Sequence, residues 1–191
     1  MTKKKIANFI LDRLGWKIEP TPKMLLCKKF VLVSGPHTSN WDFVIGKLAY
    51  ISLGIDAKFF IKKELFFWPL GYFLKEMGAY PIDRGSARGI VNIIKEVKDE
   101  KVENFILTIT PEGTRSKTNT WKEGFYTIAN KAKVPIFIGT LNYQRQICRI
   151  GDTFTVSGNF ENDVEQLKEF YKPLYARNPE QFAYHGQNMD E

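Results

Sequence analysis

Apolar residues recur along this chain in two rhythms. Short runs rich in β-branched and aromatic residues, "KKFVLVSG" (28–35), "AKFFI" (57–61), "AYPI" (79–82), "NFILTIT" (104–110) and "VPIFIGT" (134–140), are bounded by Gly, Pro or polar residues and predict strands. Between them, apolar positions fall three and four apart over Asp42–Ser52, Glu64–Met77, Ala87–Val97 and Lys122–Lys131, the spacing of one helix face. This alternation predicts an α/β fold, a single domain with a largely parallel central sheet flanked by helices. "LNYQRQICRIGDTFTVSGNF" adds a candidate hairpin. "DVEQLKEFYKPLYARNPEQF" predicts a terminal helix stopping near Asn178 and Pro179, before a frayed "YHGQNMDE". With no repeat and no separating linker, residues 1–191 read as one domain.

Two apolar stretches fit this picture in more than one way. On a helix, "MTKKKIANFILDRLGW" aligns Ile6, Phe9, Ile10 and Leu14 beneath Lys3, Lys4 and Lys5. Residues 1–20 therefore suit either contact with an anionic membrane surface or a helix docked on the domain. The uncharged segment "LFFWPLGYFL", Leu65–Leu74, is expected to pack into the core, as aromatic residues at helical spacing usually do. The alternative is an acyl-chain groove or interfacial patch flanked by Lys62, Lys63 and Lys75.

Charge narrows the partners. The net charge is +7, from 28 Lys and Arg against 21 Asp and Glu, which favours an anionic partner. The basic residues are dispersed and no recognition motif appears, which argues against nucleic acid. Lys62, Lys63, Glu64 and Lys75 interrupt the richest apolar region, so no membrane-spanning segment is expected. Asp12 and Arg13 break the core that a signal peptide needs. Cys27 and Cys148 lack metal-ligand spacing and suit a reducing interior. These readings predict a cytoplasmic protein with no metal site, for which the inner face of the cell membrane is one candidate anionic partner beside a phosphorylated small molecule.

The chemistry concentrates in two strand-to-helix loops, where α/β folds gather their ligands. In "SGPHTSNWDFVIG", five residues separate His37 from Asp42, about 500 degrees of helical rotation, so the pair meets only across a bend. If Ser39 or Asn40 caps a helix starting near Trp41, Asp42 falls in its first turn and its carboxylate reaches back to the imidazole. Such a carboxylate fixes the tautomer and raises the basicity of the other nitrogen, making a general base, while a structural cap is the plainer alternative. In "TPEGTRS", Gly113 permits close backbone approach and the fork of Arg115 suits a phosphate, with Glu112 able to orient it. A turn starting at Pro111 with a solvated Glu-Arg pair is the alternative there. No nucleophile motif accompanies either loop.

These residues resemble the glycerolipid acyltransferases of the lysophosphatidic acid acyltransferase family, in four blocks over roughly residues 28–142. "HTSNWD" is similar to the family's His-x4-Asp motif, and "FIKKELFFWPLGYFLKEMGAYPIDR" resembles its second block. "PEGTRS" and "VPIFIGT" are similar to the third and fourth. Pro36 and Thr110 stand where the family more often has asparagine and an aromatic residue. The resemblance implies an acyl group passing from acyl-CoA or acyl-carrier protein to the hydroxyl of a lysophospholipid, most of all 1-acyl-sn-glycerol-3-phosphate, with no cofactor and no acyl-enzyme. It implies His37 as base and Asp42 as its partner, with Glu112, Gly113, Thr114, Arg115, Arg84, Lys62 and Lys63 as the substrate-binding set. Acylation of another lysolipid, such as an amino-acid-containing lipid, and a non-catalytic lipid-binding module of the same fold are the alternatives.

Overall fold

The computed structural model describes residues 2–82 and 87–184. Seven strands form one sheet: β1 (Lys17–Pro20), β2 (Lys29–Gly35), β3 (Ala57–Lys62), β4 (Ala79–Ile82), β5 (Phe105–Ile109), β6 (Ile136–Asn142) and β7 (Ile147–Phe154). Their order is β1-β7-β6-β2-β5-β3-β4, which places β2 at the centre. Strands β2 to β6 run parallel to one another, whereas β7 is antiparallel to β6 and carries β1 parallel to itself. The candidate hairpin is this β6–β7 pair.

Side chains alternate across the sheet with period two and feed two cores. Val31, Val33, Phe105 and Leu107 face one core, which is closed by α5 (Ala87–Lys98), α6 (Gly124–Ala132) and α7 (Phe160–Glu169). Phe30, Leu32, Ile106 and Phe137 face the other, closed by α1 (Lys3–Arg13), α2 (Pro22–Leu26) and α3 (Asn40–Leu53). Central strands buried on both faces read as unbroken apolar runs, which is why "FVLV" and "FILTI" stand out.

The crossover from β2 leaves through α3 on one face toward β3, and that from β5 leaves through α6 on the opposite face toward β6. Adjacent parallel strands whose connections diverge leave a crevice at their carboxyl ends. Here it opens between β2 and β5, where the loops of His37 and Arg115 begin.

Four expectations change. The helix expected over Glu64–Met77 is a 3-10 turn (Lys63–Leu65) followed by α4 (Leu70–Glu76). Pro69 has no N–H to continue the helix and disfavours helical backbone at Trp68. The aromatic segment is not core: Phe67, Trp68, Tyr72 and Phe73 are 58%, 88%, 65% and 59% exposed, and only Gly71 and Leu74 are buried. Both sheet faces are already closed by other helices, so α4 rests beside edge strand β4 and leaves the aromatic rings outside. The terminal helix ends at Glu169, short of Pro173, and a separate 3-10 turn covers Pro179–Gln181. Strand β1 and α2 were not expected, although Thr21 before Pro22 is a cap followed by proline in the first turn.

The N-terminal helix is docked on the domain, with part of its apolar face left outside. It docks on α3 through Ala7 and Leu11, yet leaves Ile6, Phe9 and Leu14 exposed. Among the described residues no helix is long and apolar enough to cross a membrane. The "HGQNMDE" end lies outside the described residues.

Candidate active site

Strand β2 ends at Gly35, where Pro36 supplies no donor to extend the ladder. Ser39 then caps α3 in extended backbone and its hydroxyl accepts from Trp41 N at 3.2 Å. Asp42 completes the cap: Oδ2 accepts from Ser39 N at 2.8 Å and from Thr38 N at 2.7 Å. A carboxylate in the first helical turn also gains from the aligned peptide dipoles. The same oxygen lies 3.3 Å from Nδ1 of His37.

Two backbone N–H groups already occupy Asp42 Oδ2, and the buried Nδ1 makes no completed hydrogen bond. The pair therefore sits at ion-pair distance. Nδ1 is sealed while the His37 side chain is 21% exposed, so the open part of the ring is its Nε2 side. Asp42 is thus both a cap and a partner of the imidazole. Its second oxygen accepts from the Tyr143 hydroxyl at 2.7 Å. That tyrosine, just past β6, was not anticipated: a residue at a strand's carboxyl end is the only local signal for it. Burial and the hydrogen bond to Asp42 both hold the Tyr143 phenol in its neutral, donating form.

The second loop arrives from β5. Gly113 adopts φ +64°, a left-handed conformation that L side chains rarely take, and Lys122 N ties back to Pro111 O at 2.8 Å. Oε2 of Glu112 accepts from His37 N at 3.3 Å, which joins the two loops directly. Burial pushes the Glu112 carboxyl up to about 7, against the opposing pull of His37. The crevice therefore pairs Asp42, held by three donors, with Glu112, a buried carboxyl that keeps its proton to higher pH than an ordinary glutamate. The Arg115 guanidinium donates to Asn40 Oδ1 at the start of α3 and is otherwise exposed. The Thr114 side chain is exposed and its Oγ1 accepts from Ser116 N at 3.2 Å.

Of the remaining predicted residues, Lys63 is not drawn into this cluster. Lys62 ends β3 and Lys63 begins the following 3-10 turn, one strand beyond β5 on the same edge of the sheet. Lys63 is exposed, and among the described residues no hydrogen bond or ion pair joins it to His37 or Arg115. Arg84 lies outside the described residues. Among the described residues no group of three or more His, Cys, Asp or Glu is placed to hold a metal. Cys148 is fully buried and its thiol is pushed up to about 12 by that burial, so it supplies no thiolate.

A largely parallel sheet thus carries a histidine, a carboxylate and an arginine at the carboxyl ends of its central strands. The chain belongs to the Acyltransferase family, whose model matches residues 17–138. It is similar to a chloroplastic 1-acyl-sn-glycerol-3-phosphate acyltransferase from Brassica napus, 29% identical over 144 residues, covering 73% of this chain and 40% of that one. It is also similar to a 1-acyl-sn-glycerol-3-phosphate acyltransferase from Helicobacter pylori strain J99, 39% identical over 80 residues, covering 39% of this chain and 34% of the relative. The chain thus spans at most two fifths of the length of these relatives. The crystal structure of the 1-acyl-sn-glycerophosphate acyltransferase PlsC from Thermotoga maritima shares its fold, with a TM-score of 0.58 at 17% identity over 92% of this chain and 79% of the other.

Proposed function

We propose that this chain is an O-acyltransferase that moves a fatty acyl group from acyl-CoA or acyl-carrier protein to the free hydroxyl of a lysophospholipid, 1-acyl-sn-glycerol-3-phosphate first. In this reading Nε2 of His37 takes the proton of the acceptor hydroxyl as its oxygen attacks the thioester carbonyl. The ester C–O bond forms, the C–S bond breaks, and the departing thiolate recovers the proton from the imidazolium. Asp42 stabilises that imidazolium across the 3.3 Å contact. Because the thioester is already activated, no acyl-enzyme is required.

The observation that carries this reading is the convergence of the His37–Asp42 pair and the Arg115 loop at one crevice, joined by the His37–Glu112 hydrogen bond. Arg115 supplies a guanidinium beside the base for an acceptor phosphate. We also infer that the protein meets an anionic lipid surface peripherally, at the inner face of the cell membrane. Exposed Phe67, Trp68, Tyr72 and Phe73 follow β3 on the site's edge of the sheet, and exposed Lys63 and Lys75 flank them. Aromatic rings favour the headgroup level and lysines favour anionic lipid, so the two features select one partner. The test is product analysis by mass spectrometry with paired acceptors, lysophosphatidic acid against an otherwise identical acceptor without phosphate. The reading predicts esterification of the former; equal use of both would assign a different head group.

A further inference from the structure

After α7 the chain turns back across the carboxyl ends of β2 and β6, and residues 171–181 touch both loops of the site. Tyr171 donates to Val33 O at 2.9 Å, and its ring fills the space beside Gly35, where an added Cβ would lie 2.9 Å from it. Tyr175 O accepts from Tyr143 N at 2.8 Å, and the Arg177 guanidinium lies 5.8 Å from the Tyr143 ring centroid. Asn178 grips Thr38 twice, its backbone N–H donating to Oγ1 at 3.2 Å and its side-chain Nδ2 to the carbonyl at 2.8 Å. The Gln181 amide, with its nitrogen turned to the two acceptors, donates to Arg115 O at 2.8 Å and to Thr38 O at 2.9 Å.

These contacts converge on Asp42 from both sides. Thr38 supplies the N–H that holds Asp42 Oδ2, and Tyr143 supplies the hydroxyl that holds Oδ1. Thr38 is buried, so its carbonyl needs these donors. Gln181 is shared between the histidine loop and the arginine loop, so one side chain fixes the spacing between the base and the group beside it. The strap lies outside residues 17–138, the part matched by the family model.

We infer that Asn178 and Gln181 are positioning residues: through Thr38 and Arg115 they set the distance between the His37–Asp42 pair and the Arg115 loop. The kinetic part of this inference rests on the acyltransfer reading given above. A misplacement near 1 Å at a reacting centre can cost about 100-fold in rate, so a loss of roughly 10- to 100-fold is expected from removing either amide.

The experiment compares wild type with Gln181→Met, which keeps length without charge or donors, and with Asn178→Ala. Thermal melting reports whether each is folded; if Gln181→Met is not, Asn178→Ala and Arg177→Gln carry the same comparison. The chain has two histidines, so the His37 imidazole resonances are assigned by their loss in His37→Ala. In folded variants we expect displaced His37 resonances and a kcat lower by roughly 10- to 100-fold. Gln181→Met should in addition raise KM for lysophosphatidic acid several-fold, because it alone of the two touches Arg115. His37 resonances at their wild-type positions in the folded variants overturn the inference. A wild type without acceptor-dependent activity sinks the acyltransfer reading alone, and the resonances still judge the strap.

Discussion

The Tyr143 hydroxyl donates to Oδ1 of Asp42 at 2.7 Å, across 101 positions of sequence. With two backbone N–H groups on the other oxygen, this bond completes a three-donor cradle that fixes the carboxyl group beside His37. A hydrogen bond to a charged group contributes about 1.5–3 kcal/mol. Tyr143→Phe should therefore lose stability of that order in denaturant unfolding. It should also lower kcat about tenfold, since Asp42 is freed to turn away from the imidazole.

Arg115 reaches the first residue of α3 and holds its fork beside the histidine loop. Lysine carries the same charge without the planar, two-pronged geometry. Arg115→Lys should raise KM for a phosphate-bearing acceptor about tenfold, with a smaller change for an acceptor lacking phosphate. Steady-state kinetics with both acceptors check this.

Glu112 gives the site a pH signature. Its folded pKa of about 7 lies above the 4.5 of an ordinary glutamate, so between those limits the folded protein binds more protons than the unfolded chain. Stability should then fall as pH rises from about 4.5 to about 7, by an amount on the order of 3 kcal/mol. Glu112→Gln keeps an acceptor for His37 N and has no proton to lose. Its melting temperature should be flatter across this range and higher than wild type at pH 8.

Trp68 is 88% exposed, so Trp68→Ser should leave thermal stability nearly unchanged. On a lipid surface the same ring would be largely buried, a gain of about 1.5–3 kcal/mol for a large apolar side chain. Co-sedimentation with phosphatidylglycerol-containing vesicles should weaken about tenfold or more in this variant, and further with Phe67→Ser added.

Much of the frame was legible because it rests on local rules. The five strands β2 to β6 are apolar runs between breakers, and Ser39 with Asp42 three residues on is a capping signal that places the carboxylate near His37. Tyr143, Asn178 and Gln181 were not legible. Their partners lie 101, 140 and 66 or more positions away, and only the strand order brings them together. The exposed aromatic segment misled for a related reason. Periodicity says which residues share a face, but what covers that face depends on how the other helices fill the two sides of the sheet.

The central claim is that His37 is the base of an acyl transfer to a lipid hydroxyl. Its most direct test is thiol release from a long-chain acyl-CoA and from an acyl-carrier protein, with and without lysophosphatidic acid, for wild type and His37→Ala. The account predicts acceptor-dependent release by wild type with at least one donor, and its loss in the folded variant. Acceptor-dependent release that persists in folded His37→Ala would contradict it.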